Sequence, residues 1–93
     1  MQGTFIFVLD RGFVVIGDAC ISEDLAFHWD LLLSATIRKW GTTQGLAELK
    51  DGPLPATVLD KACRRTIPFR SVLDIIHVSE KGAQLWQQKL SSL

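Results

Sequence analysis

The chain has no net charge, almost no cysteine, few prolines and no long apolar run, and each shortage removes a class of protein. Ten Lys and Arg balance ten Asp and Glu, so no overall field would hold a polyanion, and a nucleic-acid contact would need a local basic patch. Neutrality also favours self-association, so a homodimer fits the composition. Cys20 and Cys63 are the only cysteines and form no CxxC pair, a usage that fits reduced, buried thiols better than a disulfide framework. The early apolar run Phe5 to Leu9 follows Gln2, Gly3 and Thr4 rather than a charged segment, and it is too short for a signal core or a membrane span. The expectation is a cytoplasmic protein without a membrane partner.

What is present suits one domain covering residues 1–93. Of the 93 residues, 47% are apolar, enough for a modest core. There are no repeats, linkers or low-complexity tracts. Phe5 to Leu9 and Phe13 to Ile16 are β-branched and aromatic runs separated by Asp10, Arg11 and Gly12, the composition of a three-residue hairpin loop with glycine at a left-handed position. Both runs are apolar at odd and even positions, which predicts strands buried on both faces, in a sheet that curls on itself or lies under a helix.

Ser22 to Leu33 reads two ways: a helix capped by Ser22 with Leu25, Trp29 and Leu32 on one face, or a loop and a strand in which Phe27, Trp29 and Leu31 alternate with His28, Asp30 and Leu32. The crowd of large residues favours the strand slightly. Ala35 to Trp40 continues as a strand with Ile37 inward. Gln44 to Asp51 reads as a short helix with Leu46 and Leu49 on one face, Thr42 or Thr43 at its N-cap and Gly52-Pro53 as its stop. Thr57 to Asp60 makes a short strand, Arg64 to Phe69 an edge strand or bulge because Pro68 cannot donate to a ladder, and Val72 to Val78 a further strand. Ser79 then caps a terminal helix whose Ala83, Trp86, Leu90 and Leu93 form one apolar stripe. The sum is an α+β domain: a small curled or partly closed antiparallel sheet, barrel-like, with a short crossover helix and a C-terminal helix.

Three segments carry a resemblance: RGFVVIG at Arg11 to Gly17, IRKWGTTQGLAEL at Ile37 to Leu49 with the following Gly52-Pro53, and TVLD at Thr57 to Asp60. In this order they resemble a family of small proteins encoded by bacteriophages, prophages and other mobile elements, marked by an R-x-W-G-T-T-x-G-L signature. The sequence departs from that pattern at Lys61, where a proline is typical, and in the strongly apolar Ser22 to Leu33. The resemblance implies a mobile-element origin and a binding role, with no catalytic residues to carry over.

The residues with chemistry to offer fall into four groups. Gly41, Thr42 and Thr43 precede the short helix, so their N–H groups and hydroxyls would converge near Arg38 at the positive end of a helix dipole, where a small anion could sit; a simple cap is the plainer reading. Trp40, flanked by Arg38 and Lys39, is the tryptophan best placed to be exposed and to anchor a partner, whereas Trp29 and Trp86 suit the core. Arg64, Arg65 and Arg70 extend the basic character of Arg38 and Lys39 and could track a phosphate backbone, or simply guard a solvated edge. His28 with Asp30, and His77 with Asp74 and Ser71, are too sparse for a metal centre or a hydrolytic set.

The sequence therefore points to a non-enzymatic binding protein, without metal or cofactor, that docks on a protein partner or captures a small anionic ligand through Arg38, Trp40, Thr42 and Thr43, with Arg11 at the hairpin tip as a second contact. The alternative is a small barrel that binds nucleic acid through Arg38, Lys39, Arg64, Arg65 and Arg70. An enzyme would need a nucleophile, base and orienting group together, and none are spaced for it.

Overall fold

The computed structural model describes residues 2–21 and 28–93. Six strands, all antiparallel to their neighbours, form one sheet that is not closed: β1 Gln2–Leu9, β2 Val14–Ile21, β3 His28–Lys39, β4 Val58–Leu59, β5 Cys63–Pro68 and β6 Val72–His77. Helix α1, Glu80–Ser91, follows. The order across the sheet is β4-β3-β2-β1-β6, with β5 also paired to β3. β4 and β5 therefore share one flank of β3, β4 along Ile37 to Lys39 and β5 along His28 to Ser34.

The hairpin of β1 and β2 forms where the two apolar runs predict it, closed by the Leu9 N–H donating to the Phe13 carbonyl at 2.8 Å. Its loop is left-handed at Arg11 as well as at Gly12. Of the ambiguous Ser22 to Leu33 segment, residues 28–33 belong to β3 and residues 22–27 lie outside the described residues. Trp29 and Leu31 are buried while Leu32 is exposed, the period of a strand. Cys63 is exposed and Cys20 half-buried, which corrects the expectation of two buried thiols.

Curling follows from chain length. β5 pairs with β3 and β6 pairs with β1, so in a flat sheet they would lie four strand spacings apart, about 19 Å. Only Phe69–Ser71 link them, and the four Cα steps from Pro68 to Val72 reach at most about 14 Å. The sheet must bend, and the bend encloses one of its faces. Phe5, Phe7, Val15, Ala19, Trp29, Leu31 and Ile67 fill that face, with Phe7 and Phe69 each 5.3 Å from the Trp29 ring centroid. The alternate residues Ile6, Val14, Ile16, Ala35 and Ile37 form the other face, under Leu49, Trp86 and Leu90. This is why β1 and β2 are apolar at successive positions: each strand buries both faces.

α1 is held by specific contacts. The Ser79 side chain caps it by accepting from the Gly82 N–H at 3.0 Å and donates to Asp51 Oδ1 at 2.8 Å. The buried Trp86 indole donates to the Leu49 carbonyl at 2.8 Å, so burial leaves no polar atom orphaned. Leu93, placed in the apolar stripe by its spacing, lies beyond the helix and is exposed. Gly82 sits where a Cβ would come within 2.0 Å of the Lys50 carbonyl oxygen.

That approach reverses the usual preference. Glycine to alanine inside a helix is normally favourable by about 1 kcal/mol, but Gly82→Ala is expected to lower unfolding free energy by about 1–3 kcal/mol, because the added methyl drives α1 off the sheet. Urea unfolding of the two proteins checks the sign.

Candidate functional site

The end of β3 runs into a bend at Trp40 to Thr43 whose backbone is fixed from three sides. Gly41 has φ 70°, and a Cβ there would come within 2.4 Å of the Ala56 carbonyl carbon, so only glycine fits. The buried Thr57 hydroxyl donates to the Trp40 carbonyl at 2.7 Å and accepts from the Leu54 N–H at 3.0 Å. Glu48 reaches back with Oε2 to accept from the Thr43 and Gln44 N–H groups at 2.8 and 2.7 Å.

The expected short helix is present but starts later and has a different cap. The segment is a 3-10 turn over Leu46–Asp51, led by Gly45 at φ 102° with no side-chain cap. Neither Thr42 nor Thr43 is its N-cap, because Gly45, at φ 102° and ψ 177°, holds that position. Gly52 ends the segment as its position suggests, its N–H donating to the Leu49 carbonyl. Of the amides expected to receive a small anion, that of Thr43 is occupied, together with that of Gln44, by the chain's own Glu48 carboxylate.

Trp40 keeps its outward position and is 42% exposed. Arg38 is exposed too, its guanidinium paired with Asp60 rather than aimed at the bend or at Glu48. Val58, also exposed, pairs with Lys39 across the short β3–β4 ladder. The β2–β3 register sets Val15 opposite Thr36, so the residues entering β2 lie beside the end of β3. The hairpin tip with Arg11 is thus on the same rim as Arg38 and Trp40. Phe13, 57% exposed, joins this rim; its apolar run marks it as a strand residue, and nothing in the sequence distinguishes it from its buried neighbours.

The five residues of the basic set do not form one surface. Arg64 pairs with Asp30 at 3.2 Å. Arg65, its neighbour on β5, turns instead to Ser34, Thr36 and Cys63. Lys39 is exposed on the Trp40 rim, while Arg70 lines a cavity of about 350 Å³ with His28, Pro68 and Phe69. Among the described residues that line it there is no carboxylate, hydroxyl or thiol.

The histidines are likewise dispersed. His77 packs edge-on against Phe5 at 5.3 Å, and Asp74 accepts from the Ile75 N–H. Among the described residues no hydrogen bond joins Ser71, Asp74 and His77, and no three His, Cys, Asp or Glu side chains gather as metal ligands. Nor is any helix among them long and apolar enough to cross a membrane. No protein-family model matches the chain. No curated protein matches it at a significant level.

Glu48→Gln retains one acceptor oxygen but loses the charge-assisted pair to the two amides. It should destabilise the protein by about 1 kcal/mol and expose the Thr43 and Gln44 amides to faster hydrogen exchange. Unchanged exchange at both amides would remove Glu48 as the anchor of the bend.

Proposed function

We propose that the chain is a non-enzymatic binding protein that docks on a protein partner through the rim of Trp40, Arg38 and Phe13, with Arg11 at its margin. The observation that carries this reading is the exposed Trp40 on a backbone immobilised by Gly41, Thr57 and Glu48. A large aromatic held in advance costs little ordering entropy on binding, and Trp and Arg are the residues that most often anchor interfaces. The R-x-W-G-T-T-x-G-L resemblance lends support to a mobile-element origin, and two free thiols suit a cytoplasmic setting. Charge neutrality leaves a homodimer within the same proposal.

Trp40→Ala and Arg38→Ala should abolish partner capture in cross-linking pull-downs while changing stability by no more than about 0.5–1 kcal/mol, as surface substitutions do. A large fall in melting temperature for either variant would make that residue structural and refute the reading.

A second reading, nucleic-acid binding, is favoured by one feature. Six of the chain's ten cations, Arg38, Lys39, Lys61, Arg64, Arg65 and Arg70, lie on β3 and the segment from β4 to β6, against three of its ten acids, Asp30, Asp60 and Asp74. Trp40 beside this flank could stack on a base. The reading requires that oligothymidylate quench Trp fluorescence at low salt and that affinity fall steeply as salt rises. No quenching, or a flat salt response, rejects it.

A further inference from the structure

Arg65 holds a charge for which the fold has no use. Its strand position opposite Leu31 carries it onto the enclosed face, next to the apolar filling, where it is half-buried. There Nε donates to Ser34 Oγ at 2.8 Å, Nη1 to Thr36 Oγ1 at 3.1 Å and Nη2 to Cys63 Sγ at 3.2 Å. Ser34 is fully buried and its hydroxyl proton is committed to the Cys63 carbonyl at 2.8 Å. All three acceptors are neutral, and among the described residues no carboxylate forms an ion pair with Arg65. The two nearest acids by strand position are already engaged, Asp30 with Arg64 and Asp60 with Arg38.

A strut from β5 to β3 needs donors but not a cation, and a half-desolvated guanidinium without a counter-charge is costly. Three of its five N–H groups are used, so two remain, the number a bidentate oxyanion contact takes. The Thr36 hydroxyl accepts from Nη1, and no acceptor takes its own proton among the described residues. Rigid guanidinium, two spare N–H donors and one spare O–H donor thus meet on a half-buried surface with net positive charge.

We propose that Arg65, with Thr36, is the receptor for a single oxyanion of the phosphate or sulfate kind, bound on the enclosed face between β3 and β5. This site is separate from the Trp40 rim and from the bend that Glu48 closes. Its occupant supplies the counter-charge that no described residue provides, so binding also strengthens the attachment of β5, an edge strand, to β3.

The test uses the whole protein and inorganic phosphate, with chloride at matched ionic strength as the control. Phosphate should shift the Arg65 side-chain N–H resonances saturably and raise the melting temperature, and chloride should do neither. Arg65→Lys keeps the charge but lacks the fork, and should abolish both responses. Thr36→Val removes one donor to a charged ligand and should weaken phosphate binding about tenfold. The proposal is overturned if phosphate acts no differently from chloride, or if folded Arg65→Lys responds as the native protein does. Should Arg65→Lys fail to fold, unchanged phosphate affinity in Thr36→Val overturns it instead. Because the probe is a free ion, neither outcome depends on whether Trp40 anchors a partner.

Discussion

The three-residue link between β5 and β6 sets the terms for everything else in this protein. Strands on opposite flanks of a five-strand width cannot be joined by so short a chain unless the sheet bends. Bending gives the sheet an inside, and an inside must be filled. Trp29 does most of the filling, in contact with Phe5, Phe7 and Phe69. The outside is then convex and apolar, and α1 covers it with Trp86 and Leu90. A small chain thereby obtains two packed layers from one sheet, which is what its high apolar fraction needs.

The same arrangement explains where polar chemistry is allowed. On the enclosed face the apolar filling gives way, beyond Leu31, to Ser34, Thr36 and Arg65, with Arg65 donating to both hydroxyls. On the covered face polar atoms hold α1 at two places: the Trp86 indole and the Ser79 hydroxyl meet the Leu49 and Lys50 carbonyls of the 3-10 turn, and the Gln87 amide donates to Thr4 and Asp18 of the sheet. The 3-10 turn has two tasks, since Leu49 packs under α1 while Glu48 fastens the bend that displays Trp40. Attachment of the helix and display of the tryptophan are thus coupled through one six-residue segment.

Much of the fold was legible from local chemistry. The hairpin could be read from two β-rich runs around Asp10 to Gly12, the helix start from Ser79, the end of the 3-10 turn from Gly52, and double-sided burial from the absence of alternation in β1 and β2. Residues whose roles depend on backbone conformation at one position or on a particular side-chain partner were not legible. Gln44 to Asp51 carries the pattern of an α-helix, yet Gly45 in a left-handed conformation and the backward reach of Glu48 make it a 3-10 turn without a threonine cap. Of the site, the exposure of Trp40 and Arg38 was readable from their basic flank, while the addition of Phe13 required the β2–β3 register. Arg64 and Arg65 are adjacent and alike in sequence, but strand alternation sends one to Asp30 and the other to Ser34 and Thr36.

Sequence alone determined the elements with short-range causes: which runs are extended, where glycine and serine begin or end a turn, and that one sheet and one terminal helix must share a core. Tertiary structure alone decided which arginines are neutralised and that the Trp40 bend faces outward beside the hairpin tip. The reason is physical. Backbone propensities and hydrophobic periods act over a few residues, whereas the ion pairs of Arg38 and Arg64 and the bonds from Arg65 to Ser34 and Thr36 are set by atoms that strand pairing brings together from positions far apart in the chain.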